Sequence, residues 1–544
     1  GRMGGAGNRD GAIRMYGDWL KHNPKSPSAF AAHFNTGCLL QESGKLAESL
    51  VAYVACLRLN PQFVQTRLNL GNVLDQLGRM DDAIAEWRKL VDAGPAAPID
   101  PAVMRLALNN LGLILERTSR WGDAIAMLSR SLAIDPGQEQ VIYHWVRLRQ
   151  RICAWPIYED VPGITIAQMI EKTSAVAMLA VSDDPALQLV AAKRNMVAFA
   201  AATLTNLSPP TAYGHERLRI GYLSSNFNLH AVSMLTAELF ELHDRQRVEV
   251  FAFSWSPDDG SPMLARVRAA MDHFVDIAAM SDEQAAQAIR AAEIDVLVDL
   301  QGLTTHSRPR ILACRPAPHQ VAYLGHPGTT AVPGVDYLLA DHYLVPQASA
   351  LHYAEQVLRM PACYQVNDRK RPRPEALTRA QVGLAPGAFV FCAFNNTNKF
   401  TPEVFASWMN ILQRVPHGVL WLLADNPEAQ THLLQHAAAA GIDGGRVVLA
   451  HRASYLEYLS RFRVGDLFLD TYPFNGGVTT SDALWSGLPV LTRSGRSFAS
   501  RMSGSLLHAI GLPELVTESV DAYQDLAVAL ALDPPRMARL RQNL

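Results

Sequence analysis

Hydrophobic residues in the first quarter of the chain recur with helical spacing and at matching offsets from one segment to the next. Large apolar residues occupy equivalent places in two successive predicted helices: Leu40, Leu74 and Leu115 in the first, and Tyr53, Trp87 and Leu128 in the second. Residues that share an offset in every segment form one continuous core when the segments stack. The pattern therefore predicts an array of stacked helix pairs at the start of the chain.

Glycine and proline residues give this array its period. Three pairs of them are each separated by 34 residues: Gly37 and Gly71, Gly44 and Gly78, and Pro61 and Pro95. This is the period of the tetratricopeptide helix–turn–helix unit, which packs a small residue where its two helices cross. Gly37, Gly71 and Gly112 take that place in three units, the third of which follows a seven-residue insertion in a Pro-rich turn around Pro95, Pro98 and Pro101. Such repeats offer a concave protein-binding surface, and a helical hairpin bundle with coincidental spacing is the alternative.

From residue 218 onward the pattern changes to short β-branched or aromatic runs that alternate with helical stretches. The predicted strands are 218–223, 248–255, 274–277, 295–300, 321–324 and 337–340, and then 389–394, 419–424, 447–449, 467–470 and 489–492. Short buried strands separated by helices are typical of parallel sheets with crossover connections. A Pro- and Arg-rich stretch at 369–374 divides these strands into two halves, and we interpret it as a solvated linker.

These patterns predict a protein of the α plus α/β class, with a tetratricopeptide-repeat α-solenoid followed by two Rossmann-like doubly wound domains. We expect the repeats in residues 1–140 and a helical spacer in 141–214 that breaks at 208–210. The Rossmann-like domains are expected in 215–374 and 375–518, with a terminal helix in 519–544. Such sheets bind ligands at the carboxyl ends of their strands, and two facing halves create a cleft.

The composition of the chain bounds its partners and its compartment. The chain has 544 residues, 49% of them hydrophobic and 18% charged, with a net charge of −2. This balance gives no electrostatic footprint for nucleic acid. The six cysteines are scattered singly, and no stretch approaches the roughly 18 apolar residues of a membrane span. We therefore expect a cytoplasmic protein with reduced thiols and with neither nucleic-acid nor membrane partners.

The segment 470–489 carries the first candidate site, at the end of a predicted strand. Gly477 and Val478 lie in a glycine turn before a helix that is predicted to start near Thr479. The unpaired amides and positive dipole of a helix start suit a diphosphate, and Thr479 and Thr480 add hydroxyl donors. Asp482, one turn into the helix, could accept hydrogen bonds from ribose hydroxyls. A plain helix cap after a glycine turn is the alternative.

Two further strand ends in the second half add to this site. Asn396 and Lys399 follow the strand at 389–394, where the lysine can place a cation on a phosphate without a metal. The chain contains no Asp-x-Asp sequence, so a metal-bridged diphosphate has no obvious ligands. After the strand at 447–449, Tyr458 is a candidate for base stacking and Arg461 for charge. A solvent-exposed lysine is the alternative for Lys399.

In the first half, His230 lies in the loop after the first predicted strand, at the ligand end of the sheet. Because the pKa of an unperturbed histidine is near neutrality, His230 could act as a general base or hold a sugar hydroxyl. A histidine with a purely structural hydrogen bond is the alternative.

At this point the chain resembles glycosyltransferase family 41, the protein O-linked N-acetylglucosamine transferases and their SPINDLY-type O-fucosyltransferase relatives. The resemblance covers nearly the whole chain. It depends on the order of five motifs: 217–230, 256–260, 315–318 with 324–329, 394–399 and 470–487. It implies a GT-B transferase that moves a sugar, with inversion and without metal or cofactor, from a nucleotide diphosphate to Ser or Thr hydroxyls of proteins.

The resemblance also implies roles for individual residues. His230 matches the family's active-site histidine, Lys399 its phosphate-contacting lysine and Asp482 its ribose-binding acid. The implied nucleotide-sugar site contains Asn396, Lys399, Ala453, Tyr458, Arg461, Gly477, Val478, Thr479, Thr480 and Asp482, and the implied sugar and acceptor side contains Gly325, His326 and Thr329.

Three departures from the family pattern leave the donor open. Tyr458 stands where the animal transferase has a histidine, Val478 replaces a threonine and Gly477 replaces a histidine. The first hypothesis is transfer of N-acetylglucosamine from UDP-N-acetylglucosamine to proteins held by the repeats, in a possible homodimer. O-Fucosyl transfer from GDP-fucose is the second hypothesis, and a protein-binding scaffold with little turnover is the third.

Overall fold

The computed structural model describes residues 9–94, 99–200, 205–207 and 213–544. The predicted turn at Pro95 and Pro98 and the predicted break at 208–210 lie outside these residues. The chain divides into two compact units. The first contains Gly1–Arg149 and Ile157–Lys172, and the second contains Gln150–Pro156 and Thr173–Leu544. Within the described ranges, no helix is both long enough and apolar enough to cross a membrane.

The described part of the first 171 residues is built from helices, which pair in sequence order. They are α1 (Arg9–His22), α2 (Ala29–Glu42), α3 (Leu46–Leu59), α4 (Val64–Gln76), α5 (Met80–Val91), α6 (Pro101–Arg117), α7 (Trp121–Ile134), α8 (Glu139–Arg151) and α9 (Ile166–Glu171). The helix pairs α2–α3, α4–α5 and α6–α7 are the three predicted repeats. The prediction of a helical repeat array is confirmed.

The predicted small residues lie where the helices of each repeat cross. A β-carbon at Gly71 would overlap the indole of Trp87, and Gly37 and Gly112 make the same close approach to Tyr53 and Leu128. Trp87 is fully buried, and its Nε1 donates a hydrogen bond to the carbonyl oxygen of Leu68 at 3.1 Å. The glycines therefore make room for the large apolar residues that recur with them in each repeat.

Gly71→Ala is expected to destabilise the repeats, because the new methyl group displaces a buried indole that also holds a hydrogen bond. Overpacking of this kind costs roughly 1–3 kcal/mol, which exceeds the gain of up to about 1 kcal/mol from replacing a helical glycine by alanine. Gly17→Ala in α1 is the matched control, because a β-carbon added at Gly17 would have no atom within 4 Å. We expect the melting temperature to fall for Gly71→Ala and to rise slightly for Gly17→Ala. Shifts in the same direction would contradict this account.

The second unit begins with helices α10 (Ala175–Val181) and α11 (Pro185–Ala200) and continues with a seven-stranded parallel sheet. Its strands are β1 (Leu218–Ser224), β2 (Val248–Ser254), β3 (His273–Asp276), β4 (Val296–Asp299), β5 (His319–Ala322), β6 (Tyr337–Asp341) and β7 (Gln356–Met360). Their order in the sheet is β3-β2-β1-β4-β5-β6-β7. The helices between the strands are α12 (Ala231–Glu241), α13 (Pro262–Ala269), α14 (Asp282–Ala291) and α15 (Pro309–Ala313).

A second parallel sheet follows, with six strands in the order β10-β9-β8-β11-β12-β13. The strands are β8 (Phe389–Ala393), β9 (Gly418–Leu423), β10 (Val447–Ala450), β11 (Leu467–Leu469), β12 (Val490–Arg493) and β13 (Val516–Thr517). The helices are α16 (Pro402–Arg414), α17 (Pro427–Ala439), α18 (Tyr455–Phe462), α19 (Val478–Trp485), α20 (Met502–Ala509), α21 (Val520–Ala531) and α22 (Pro534–Gln542). Both sheets thus have the doubly wound order, which reverses between β1 and β4 and between β8 and β11.

The predicted fold class is confirmed, and each predicted strand overlaps an observed one. Two observed strands are missing from the prediction. β7 is an edge strand with no fully buried residue, so it lacks the apolar run that marks a central strand. β13 has only two residues, Val516 and Thr517. The final segment, predicted as one helix, forms both α21 and α22, because Pro534 starts a new helix.

Candidate active site

A cavity of about 670 Å³ lies in the second unit at the carboxyl end of β1 and of strands in the second sheet. Eight of the residues singled out in the sequence line it: His230, Asn396, Ala453, Tyr458, Arg461, Val478, Thr479 and Asp482. Leu229 and Met234 add an apolar wall beside His230, whereas the wall from the second sheet is mostly polar. The cavity therefore collects groups from both switch points, where doubly wound sheets bind their ligands.

The loop that carries His230 is held by hydrogen bonds on both sides of the histidine. Phe227 is fully buried, and its amide donates to Ser256 Oγ at 2.8 Å. The amide of Leu229 donates to Asp259 Oδ2 at 2.9 Å, and Ser233 Oγ donates to the carbonyl oxygen of Asn226 at 2.7 Å. The segment 256–260, one of the five motifs on which the resemblance depends, thus supports the histidine loop.

His230 is also the N-cap of helix α12. Its Nδ1 accepts a hydrogen bond from the backbone N–H of Val232 at 3.2 Å. An amide N–H only donates, so Nδ1 carries no proton, and the neutral ring carries its proton on Nε2. Partial desolvation by the surrounding protein lowers the pKa of His230 below its ordinary value, which favours this neutral form at pH 7. His230 therefore offers the cavity a hydrogen-bond donor at Nε2, and a general base at Nε2 would require the opposite tautomer.

The glycine turn before α19 is held by a buried carboxylate. Asp470 Oδ1 accepts from the amide of Gly476 at 2.8 Å and from Asn395 Nδ2 at 3.0 Å. Its Oδ2 accepts from Thr492 Oγ1 at 2.8 Å. A β-carbon at Gly476 would overlap Thr480 Oγ1 and lie 3.2 Å from Asp470 Oδ1, so only glycine fits this turn. The turn directs the start of α19, with Val478 and Thr479, into the cavity.

Thr480 and Gly477 lie beside this turn but outside the cavity lining. Thr480 is fully buried, and its hydroxyl forms a hydrogen bond of 2.7 Å with Ser503 Oγ. Gly477 packs against the side chain of Met502, where a β-carbon would come within 2.7 Å of the terminal methyl group. Of the two threonines proposed as phosphate donors, the structure thus places only Thr479 on the cavity surface.

Lys399 follows β8 and is partly buried behind the glycine turn. Its Nζ donates to the carbonyl oxygen of Asn475 at 2.7 Å and lies 3.8 Å from the centre of the Phe474 ring. Burial lowers the pKa of Lys399 to about 8, although the Asp470 carboxylate opposes this effect. An ammonium group has three donors, so two remain for an anion once Asn475 is bonded. Lys399 is not among the residues that line the cavity, and its side chain is partly buried, in contrast to the exposed lysine that the sequence left as the alternative.

Asp482 in α19 lines the cavity, and neighbouring protein side chains donate hydrogen bonds to its carboxylate. Its Oδ1 accepts from Arg371 Nη1 at 3.0 Å and from the Tyr455 hydroxyl at 3.0 Å. Burial raises the pKa of Asp482 to about 6, and the Arg371 guanidinium and the Tyr455 hydroxyl oppose this rise. The interpretation of the basic stretch as a solvated linker is wrong for Arg371, which is only 7% exposed. A buried carboxylate needs a counter-ion, and the linker supplies it.

Tyr458 and Arg461 occupy one face of α18 at the edge of the cavity. The ring of Tyr458 packs 4.9 Å from that of Phe462 and is stacked 6.3 Å from that of Tyr455. Arg461 donates to the carbonyl oxygen of His451 at 2.5 Å and to Glu457 at 2.7 Å. Arg461 thus holds the loop that contains Ala453, while Tyr458 presents an aromatic surface.

Gly325, His326 and Thr329 follow β5 and are not among the residues that line the cavity. Thr329 Oγ1 donates to the buried carboxylate of Glu355 at 2.6 Å, and the Thr330 amide donates to the other oxygen at 2.8 Å. His326 is buried, and burial lowers its pKa to about 4. Gly325 lies against the carbonyl groups of Leu300 and Gln301. These residues shape the loop between β5 and β6.

Sequence reasoning missed Arg371 and Tyr455, the two residues that hold Asp482. A signal was available for Tyr455, because it lies three residues before Tyr458 and therefore on the same face of α18. Arg371 lies 111 residues from Asp482 along the chain, and nothing in the local pattern links them. Within the described ranges, no group of three or more His, Cys, Asp or Glu side chains is placed to hold a metal ion.

The sequence model described as Glycosyl transferase family 41 matches residues 196–375 and 372–544, and a Tetratricopeptide repeat model matches residues 34–98. Together the family 41 matches cover more than half of the chain.

Individual relatives agree with the family match. The chain is 37% identical to the probable UDP-N-acetylglucosamine–peptide N-acetylglucosaminyltransferase SEC of Arabidopsis thaliana. This match extends over 338 residues, which are 61% of this chain and 35% of the relative. It is 31% identical to the SPINDLY protein of the same plant, over 60% of this chain and 36% of the relative. The chain thus spans just over a third of the length of these curated relatives.

A solved structure resembles the protein over almost its full length. It is a mutant of the O-GlcNAc transferase of Thermobaculum terrenum, with a TM-score of 0.66 and 28% sequence identity. The match covers 94% of this chain and 92% of that chain.

Proposed function

Because the chain belongs to glycosyl transferase family 41, we propose that it transfers a sugar from a nucleoside diphosphate to Ser or Thr hydroxyls of proteins. The observation that carries the proposal is the position of His230 across one cavity from Asn396, Thr479 and Asp482. One wall offers groups for a nucleotide, and the other offers a hydrogen-bond donor and an apolar surface. Such a cleft suits two substrates, a nucleotide sugar on one wall and an acceptor on the other, that meet between the two walls.

In the proposed reaction, the acceptor hydroxyl oxygen forms a bond to the anomeric carbon as the bond from that carbon to the diphosphate breaks. The diphosphate leaves with the electron pair, and the hydroxyl proton passes to a diphosphate oxygen. Lys399 and the amides at the start of α19 stabilise the negative charge that develops on the leaving group, so that no metal is needed. His230 donates from Nε2 to an oxygen of the donor or acceptor.

For the donor, we propose UDP-N-acetylglucosamine. The names of the similar plant proteins include UDP-N-acetylglucosamine as their donor. In the cavity, Tyr458 offers a ring for stacking the base and Asp482 a carboxylate for the ribose hydroxyls. Stacking tolerates any base, so GDP-fucose is the second candidate donor.

The tetratricopeptide repeats are proposed to hold the protein acceptor. The first unit contains a groove of about 600 Å³ with amide and charged side chains along it, among them Asn72, Asn110, Glu116 and Arg147. Asn110 Nδ2 donates to Asn72 Oδ1 at 2.8 Å, and His144 Nδ1 pairs with Glu116 at 2.6 Å. Amides and charged groups suit the exposed backbone of an extended polypeptide.

Thermal-shift titration of the full chain tests the donor. We expect UDP and UDP-N-acetylglucosamine to raise the melting temperature, because a ligand at 100 times its dissociation constant adds about 2.7 kcal/mol of stability. GDP and GDP-fucose serve as the matched pair. If only GDP and GDP-fucose stabilise the protein, GDP-fucose becomes the proposed donor in place of UDP-N-acetylglucosamine. If none of the four ligands stabilises the protein, the binding-scaffold hypothesis gains and the transferase proposal fails.

A further inference from the structure

A buried ion pair lies directly behind the cavity. The side chains of Arg371 and Asp482 are 5% and 2% exposed, and Nη1 lies 3.0 Å from Oδ1. The same nitrogen donates to Ser481 Oγ at 3.1 Å, and the guanidinium stacks over Trp485 with its carbon 4.7 Å from the ring centre. Asp482 lines the cavity whereas Arg371 does not. The arginine can therefore act on a cavity ligand only through the carboxylate.

The linker that carries Arg371 is fixed to the first sheet's half of the second unit. Arg369 donates from its amide to Glu238 Oε2 at 2.7 Å, and Lys370 Nζ donates to Glu241 Oε2 at 2.6 Å. Both glutamates belong to α12, the helix that His230 caps. Asp368, buried beside them, accepts from Arg266 at 2.6 Å. We name residues 368–371 the strap, because they bond α12 on one side and α19 on the other.

Inside the strap, the guanidinium of Arg371 is held in one orientation. Its Nε donates to the carbonyl oxygen of Asp368 at 3.1 Å, so the planar group cannot rotate away from Asp482. Both bonds from the protein to Asp482, from Arg371 and from Tyr455, go to Oδ1. Among the described residues, Oδ2 accepts no hydrogen bond. One oxygen of the carboxylate is thus occupied and the other remains for a ligand.

We propose that Arg371 is a positioning residue of the nucleotide site, which keeps Asp482 ionised and directs its Oδ2 toward the ribose hydroxyls of the donor. This inference depends on the proposed function, because it presupposes a nucleoside diphosphate in the cavity. A carboxylate can accept hydrogen bonds from two hydroxyls, whereas a protonated acid carries an O–H donor of its own and is a poorer acceptor. The strap also makes the ribose site dependent on α12, and hence on the half that carries His230.

The physical basis is the balance between burial and charge at Asp482. Burial favours the neutral acid, and Arg371 is the cation that opposes it; the Tyr455 and Tyr458 hydroxyls also face this carboxylate. With a pKa of about 6, Asp482 is ionised at pH 7.5, and affinity for the donor should fall as the pH drops below 6. Without the guanidinium, the pKa rises further, so the loss of affinity should begin at a higher pH. At the alkaline end, affinity should fall above pH 8 as Lys399 loses its proton.

The test measures the affinity of the full chain for UDP-N-acetylglucosamine by calorimetry from pH 5.5 to 9. This ligand is suitable because its diphosphate is a diester that does not titrate in this range. For Arg371→Gln we expect affinity at pH 7 to fall about tenfold, which corresponds to the loss of one hydrogen bond to a charged group. Affinity should recover partly toward pH 8, because Asp482 then ionises again. Arg371→Lys should retain most of the affinity, because it keeps the charge. Arg373→Gln, an exposed arginine two residues away, is the matched control.

A second pair of ligands measures the contribution of the ribose hydroxyls to binding. UDP and 2′,3′-dideoxy-UDP are compared at pH 7, where their identical phosphates are ionised to the same extent. In the unchanged protein, we expect removal of the hydroxyls to weaken binding about tenfold, and in Arg371→Gln the two ligands should bind nearly alike. If Arg371→Gln loses stability, the double variant Arg371→Gln/Asp482→Asn removes both charges and should restore stability without restoring the preference for ribose.

The possible outcomes separate the two proposals. Failure of the unchanged protein to bind UDP, GDP or their sugars would overturn the nucleotide site itself. Binding by the unchanged protein, with an Arg371→Gln variant that keeps both its pH profile and its preference for ribose, would overturn only the role of Arg371.

Discussion

Replacing Lys399 by alanine is expected to reduce sugar transfer about 10³-fold at saturating donor, the loss found when one preorganised donor to a developing negative charge is removed. Lys399 stands behind the glycine turn with two of its three donors uncommitted, and its one hydrogen bond goes to the carbonyl oxygen of Asn475, three residues before α19. Departure of the diphosphate creates negative charge at this place. Binding of the donor should weaken much less than turnover, because the amides still hold the ground state.

Transfer of radiolabelled sugar to a protein acceptor measures this effect. Lys399→Met separates charge from packing, since it keeps an unbranched stem over Phe474 but has no ammonium group. We expect it to be as inactive as Lys399→Ala. Lys193→Ala, at an exposed position of α11, is the control and should keep full activity. Full transfer by either Lys399 variant would show that the leaving group is stabilised elsewhere.

The position of Lys399 was predictable because its cause is local. The run Phe389–Ala393 is apolar enough to form a buried central strand, and polar residues that follow such a strand emerge at the ligand edge of a parallel sheet. The same reasoning located His230 after β1 and Thr479 after β11. The repeats were also predictable from local sequence, since Gly71 and Trp87 belong to two helices that follow each other directly along the chain.

Other features depend on long-range contacts that the local pattern does not contain. Thr480 and Thr479 look alike in the sequence, but the helix turns Thr480 toward Ser503 and away from the cavity. Arg371 reads as part of a polar linker, and only the packing of the strap against α19 buries it. Thr329 is held by Glu355, a residue in the segment just before β7. Each of these outcomes is decided by which elements become neighbours.

His230→Gln is expected to retain far more activity than His230→Asn, because the two amides imitate different nitrogens of the ring. Asparagine is a good helix cap, so its oxygen can replace Nδ1 as acceptor for the Val232 amide. Its amide group does not reach the place of Nε2. Glutamine is longer by one methylene and can place an N–H donor near that position. If the histidine acts as a donor from Nε2, the asparagine variant should lose about 10²-fold in turnover and the glutamine variant about tenfold.

The comparison discriminates between three roles for this histidine. A general base would be lost in both variants, since neither amide accepts a proton at pH 7, and both would fall by about 10²-fold or more. A purely structural cap would be preserved by asparagine, which should then remain fully active. Melting temperatures of the two variants show whether α12 is still capped. The hydrogen bond from Val232 fixes the proton of His230 on Nε2, so the donor role is the one that we expect the ratio of the two rates to reveal.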